Sequence, residues 1–295
     1  MSEASLFAPA VPGLTPRSAW AGRAAAPELL AAACRRLNAS CPALRVRLWA
    51  EGEPVADPAG QRWVAAEDFA DRLDELISGE ARRIRADHGC AVPPHVAAAR
   101  LLHHYLWSVC LLAAGPWYLE RRVPELGADR LWIEPQTGEL AFRPGGFACL
   151  PDDPAARGVA GVRVLPGECE LRAELRAVVA AHAEPVLAAF RPVAKRGSRA
   201  LWGMVTDDLV SALWYLGREL GREEHAAAQA EELLPGGSAP LVGAADFRRL
   251  AGSGGTEHLT RTRLGCCLYY VVRPADTCLT CPRTCDAERV RRLEA

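Results

Sequence analysis

Apolar positions recur at helical spacing through much of the chain. Pro27-Glu28 opens a predicted helix through Leu29, Leu30, Cys34 and Leu37, with proline in the first turn, where its missing N–H is no loss. From Ala66 to Ala86, Phe69, Leu73, Leu76 and Ile77 fall on one face, and Gly79 weakens that helix only slightly. Pro93-Pro94 starts a long apolar helix to about Ala114, the predicted central core helix. Glu168 to Leu234 reads as almost wholly helical, with breaks near Pro192 to Ser198 and at Gly221. In its second helix Leu201, Val205, Leu209, Ala212, Leu213, Leu216 and Leu220 make one apolar stripe, which leaves Asp207-Asp208 on the polar, solvated side.

Other stretches alternate. Leu44 to Trp49 interleaves apolar and basic residues, a strand pattern. Two β-prone runs, Leu131 to Glu134 and Glu139 to Phe142, flank Pro135-Gln-Thr-Gly138 and predict a hairpin. Val162 to Leu165 adds a strand. Pro151 to Gly161, with two prolines, two glycines and adjacent aspartates, is the best internal boundary. Pro235 to Pro240 predicts a linker and Gly252 to Gly255 a turn, followed by a short strand and a charged helix from Asp286. There is no internal repeat. The expected fold class is α+β: a mostly helical domain with a small sheet or hairpin and a cysteine-rich C-terminal lobe. The expected division is a loose arm at 1–27, an N-terminal α/β subdomain at 28–150, a helical region at 162–250 and a C-terminal lobe at 256–295.

The 295 residues are 50% hydrophobic and 24% charged, a normal globular balance. Thirty-five basic and 36 acidic residues leave a net charge of −1, which argues against a non-specific nucleic-acid binder. Lys195 is the only lysine, a composition we read as codon bias. No uninterrupted apolar run reaches the roughly 18 residues of a membrane span; the longest candidate, Leu101 to Ala114, contains His103 and His104. Glu3 sits where an export signal wants positive charge, so a cytoplasmic location is expected. Disulfides are rare there, which makes the eleven cysteines expected thiols or ligands. Five of the eleven fall in the last 30 residues.

That cluster reads C-C-x10-C-x2-C, from Cys266, Cys267, Cys278 and Cys281, with Cys285 as an extra thiol. Cys278-x2-Cys281 is a metal knuckle, because a two-residue turn aims both sulfurs at one ion. Adjacent side chains in a strand point to opposite faces, so Cys266-Cys267 needs a bend, which Gly265 would permit. Leu268 to Val272 is β-prone and Pro274 to Thr277 turns, so a hairpin would return the second pair to the first. Four thiolates hold either a tetrahedral zinc or an iron–sulfur cluster. An adjacent pair is atypical of zinc ribbons, and Leu268, Tyr269, Tyr270 and Leu279 suit a partly dry redox site.

This stretch resembles the C-terminal motif of the FhuF-like ferric siderophore reductases, whose C-C-x10-C-x2-C holds a [2Fe–2S] cluster. The match includes Arg263 or Arg261 upstream, Leu268-Tyr269 after the pair and Pro282 after the last cysteine. Leu201-Trp202-Gly203-Met204-Val205 with Ser211-Ala212-Leu213 is a weaker echo. Gly265, Arg283 and Cys285 depart from the pattern. The resemblance implies a cytoplasmic protein, with a FhuF-like region at 162–250 and a [2Fe–2S]-binding lobe at 256–295. Cys266, Cys267, Cys278 and Cys281 would be the cluster ligands. The implied activity is one-electron reduction of an imported ferric siderophore, of hydroxamate type, with release of Fe(II). Electrons would come from an external donor such as a ferredoxin or a flavoprotein reductase, because no nicotinamide, flavin or P-loop fingerprint occurs. The rival readings are an iron–sulfur redox sensor and a zinc-stapled siderophore-binding protein.

The remaining candidates read as structural. His88, His95, His103, His104, His182, His225 and His258 show no metal-binding spacing. Trp107, Trp117, Trp202 and Trp214 read as core packing ahead of pocket lining. Arg289, Arg291 and Arg292 read as a solvated helix face, with docking of an acidic electron carrier as the alternative.

Overall fold

A computed structural model describes residues 25–53, Val55 and 63–295; most of the arm expected at 1–27 lies outside the described residues. The architecture is built around α3 (Pro94–Glu120), which is apolar on nearly every side. A helix of that kind must be covered all round. Around it pack α1 (Ala26–Ser40), α2 (Phe69–His88), α4 (Glu168–Ala194) and α5 (Ser198–Glu219), with α6 (Glu223–Leu233) outside α5. The first five helices therefore stand where periodicity and the Pro27 and Pro94 start signals put them. By length and composition α3 and α4 could each cross a bilayer, but 78% of the apolar window of α3 is buried inside the protein, as its role as core helix requires.

Three small sheets complete an α+β fold. β1 (Val46–Leu48), β2 (Val64–Ala65), β4 (Leu131–Ile133) and β5 (Leu140–Phe142) form one sheet in the order β1-β5-β4-β2. Within it the expected hairpin pairs Leu131 with Phe142 and Ile133 with Leu140. A second sheet joins β3 (Arg122–Pro124), β6 (Phe147–Cys149) and β7 (Val162–Val164). The sequence reading misses β3 and β6, because three residues buried throughout carry no alternation. The third sheet is a hairpin of β8 (Phe247–Ala251) and β9 (Glu257–Arg261), turning at Gly252 to Thr256. β8 begins inside the 162–250 region, beyond its helices and the linker at Pro235 to Pro240. One continuous core cluster runs from Ala26 to Ala245 and draws on every helix from α1 to α6.

Gly79, in α2, lies so close to the Pro135 carbonyl oxygen at the β4–β5 turn that a Cβ would overlap it. Alanine there gains up to about 1 kcal/mol of helix propensity but forces backbone apart, at about 1–3 kcal/mol. Gly79→Ala should therefore destabilise the fold, read as a lower urea midpoint, although the same change in an exposed helix would stabilise it.

Candidate metal centre

The C-terminal lobe carries its cysteines on two arms. The first leaves β9 through Thr262 to Cys267; the second runs from Cys278 to Cys285 into α8 (Asp286–Leu293). The Arg263 N–H donates to the Thr280 carbonyl at 2.9 Å and ties one arm to the other. The expected hairpin between the pairs is absent. Tyr269–Val272 forms a single helical turn, α7, entered through Leu268 at φ 61°. The reversal after Cys266-Cys267 therefore sits at Leu268. Gly265 has no left-handed backbone, and a Cβ there would meet the Ala200 carbonyl and the Asp207 carboxylate at ordinary contact distance.

Cys267 and Cys281 are buried, Cys266 and Cys278 half-buried, and Cys285 exposed; all eleven cysteines are free. The neighbouring Cys278 lowers the Cys267 thiol against the effect of burial, with Arg263 and Arg100 acting in the same direction. Cys267 and burial push Cys278 up. Burial raises Cys266, partly offset by the Leu268 N–H. The Cys281 sulfur accepts the Arg283 N–H at 3.4 Å. Cys266 and Cys278 each feel both Cys267 and Cys281, so the four sulfurs share one electrostatic site. Among the described residues no three His, Cys, Asp or Glu side chains stand in a converged metal-ligand arrangement. The donor set nonetheless fits a soft centre: four thiols on two tied turns, with backbone N–H groups at two of the sulfurs.

Beneath the first arm lies a network of buried charges. Asp207 and Asp208, expected on a solvated face of α5, are fully buried. The C-terminal lobe covers that face. Arg261 donates to Asp207 at 2.7 Å and to the Ala245 carbonyl at 2.9 Å. Asp207 also accepts the Leu264 and Gly265 N–H groups at 3.0 and 2.8 Å, directly ahead of Cys266. Arg263 donates to Asp208 at 2.8 Å. Burial opposes its charge, but Asp208 and Asp207 outweigh that and hold it protonated. Burial pushes Asp208 up to about 7 against the pull of Arg263. The His103 Nδ1 lies 2.7 Å from Asp208 Oδ1, so this histidine belongs to the network under the cysteines. Burial and the neighbouring Arg263 lower its pKa well below the usual value.

Arg289 supports the second arm. It was expected on a solvated helix face, yet it is 1% exposed. Its guanidinium donates to the Leu279 and Cys281 carbonyls at 2.8 and 2.9 Å and to the Thr262 hydroxyl at 3.0 Å. Arg291 pairs with Glu288 on the exposed side of α8, whereas Arg292 pairs with Glu288 and also donates to the Thr277 carbonyl at 2.8 Å, directly ahead of Cys278. Sequence spacing flagged the four cysteines, and the family resemblance Arg263 or Arg261, but neither placed His103, Asp207, Asp208 or Arg289 in the site. The one available signal was a pair of adjacent aspartates on an otherwise packed helix. Compared with protein-family models, curated proteins and solved structures, the chain finds no match.

Proposed function

We propose that the protein is a [2Fe–2S] ferric-siderophore reductase, with Cys266, Cys267, Cys278 and Cys281 as the cluster ligands. The observation that carries this is the Arg263 N–H bond to the Thr280 carbonyl at 2.9 Å, which ties the Cys266-Cys267 arm to the arm of Cys278 and Cys281, the two halves of C-C-x10-C-x2-C. When bound, such a centre supplies one electron at a time at a potential the surroundings tune. The chain's own residues set those surroundings. Arg263 and Arg100 place positive charge beside the sulfurs, which favours the more negative, reduced state. Arg289 and the Arg263 N–H fix the two arms against each other, so little rearrangement accompanies a change of charge.

The proposed reaction balances simply. An external low-potential donor loses one electron, and the iron of the chelate goes from Fe(III) to Fe(II). The hydroxamate oxygens that let go take up protons from solvent. Fe(II) has less charge and holds hard oxygens more weakly, so reduction becomes release. The protein need not ligate the substrate iron.

The test is turnover under anaerobic conditions. NADPH alone should leave the protein oxidised, and dithionite or a reduced ferredoxin should reduce it. A ferric hydroxamate should then reoxidise it at one electron per iron, with Fe(II) trapped by a ferrous chelator that pulls the reaction by mass action. Cys278→Ser should abolish this transfer. Reduced protein that is inert to every ferric chelate, yet changes partner binding on oxidation, would favour a redox sensor instead.

A further inference from the structure

A cavity of about 330 Å³ opens between α2, α3, the β4–β5 turn and α7, within the range of small-molecule sites. It borders the cysteine lobe directly. Tyr269, two residues after Cys267, lines it, and so does Arg100. The Arg100 guanidinium lies 4.9 Å from the centre of the Tyr269 ring and is itself 8% exposed. Trp107 supplies a second aromatic wall. The cavity therefore pairs apolar ring faces with a buried cation, on a wall that continues into the chain just after Cys267.

Its charges cancel. Arg45, Arg83 and Arg100 stand against Glu80, Asp87 and Glu139. Arg83 is paired with Glu80, which is 2% exposed. With neutral histidines the cavity has no net charge to offer an ion, and a strongly charged guest would exchange its water for a surface that does not compensate it. Three hydroxamates cancel the charge of Fe(III), whereas three catecholates leave a trianion.

We infer that this cavity is the seat of the ferric chelate, that Arg100 and Tyr269 form its wall toward Cys267, and that it selects chelates of no net charge. The inference rests on the reductase reading for the identity of the guest. It goes beyond that reading in assigning the binding site and its charge selectivity.

Gallium(III) chelates test binding apart from electron transfer, because Ga(III) has the size of Fe(III) and is not reduced. Calorimetric titration at pH 8, where histidine is neutral, would use gallium desferrichrome as the neutral guest and the gallium complex of enterobactin as the trianion. The neutral chelate should bind, and the trianion about tenfold more weakly or worse. Thr137→Trp, at an exposed position on the cavity lip, and Ser108→Phe, inside it, should each weaken the neutral chelate about tenfold. Both variants should keep the unmodified visible spectrum and melting temperature. Asp87→Asn with Glu139→Gln should shift preference toward the trianion. Unchanged affinity in both blocking variants, or no gallium binding in a protein that still reduces ferric hydroxamates, overturns the site and leaves the reductase reading intact. Equal affinity for the two guests overturns the charge selectivity. Cavity-dependent gallium binding in a protein that never reduces the ferric chelate supports the site and overturns the reductase reading. Should Ser108→Phe fail to fold, Thr137→Trp decides.

Discussion

Replacing Asp207 with alanine should destabilise the protein by about 3–5 kcal/mol, the cost of leaving a buried charge without its partner. Asp207 and Arg261 are both fully buried and face each other at 2.7 Å, so the change leaves the guanidinium buried without its charge partner. The change also strips the Leu264 and Gly265 N–H groups of their acceptor, and these hold the arm that carries Cys266 and Cys267. Against a typical total of about 5–15 kcal/mol, the loss is large. Urea titration followed by tryptophan fluorescence reads it. Glu67→Ala, at an exposed acidic position, should shift stability by no more than about 0.5 kcal/mol. An Asp207→Ala shift as small as that would mean the network does not hold the cysteine arm.

The second large effect separates the cysteines. Cys267→Ser should abolish the visible absorption of anaerobically purified protein. It removes the buried thiolate that Cys278 and two arginines address, and an alkoxide is a far poorer ligand at neutral pH. Cys285→Ser should leave the spectrum intact. That residue is exposed at the start of α8, beyond the C-C-x10-C-x2-C match. Bleaching by Cys285→Ser with retention in Cys267→Ser would reverse the ligand assignment.

What the sequence shows of this protein is what local patterns can carry. The 3.6-residue period and the proline start signals gave α1, α2, α4 and α5, and the Pro135-Gln-Thr-Gly138 turn gave the β4–β5 hairpin. The apolar pattern places the end of the core helix near Ala114. It runs to Glu120 because Gly115 sits against Leu37 of α1 and tertiary packing carries the helix through the proline. Leu268 to Val272 is β-prone by composition, yet it coils into a helical turn, because Val272 and Tyr269 pack with Ile84 and Val96 in a small satellite cluster.

The candidate site divides the same way. The cysteine spacing was legible because four ligand-type residues lie within sixteen positions. Asp207 and Asp208 were not, since their partners lie more than fifty residues away. A single-helix stripe cannot reveal that a second element covers the polar face. Arg289 failed for the same reason. Its helix is polar on nearly every side, and only the fold shows that one arginine turns inward to brace carbonyls of the second cysteine arm.

The most direct measurement is the iron, acid-labile sulfide and zinc content of protein purified without oxygen, with an electron paramagnetic resonance spectrum after dithionite. The account predicts equal iron and sulfide, two of each per chain, and a rhombic signal from the reduced [2Fe–2S] centre. Stoichiometric zinc with no labile sulfide and no signal would contradict it.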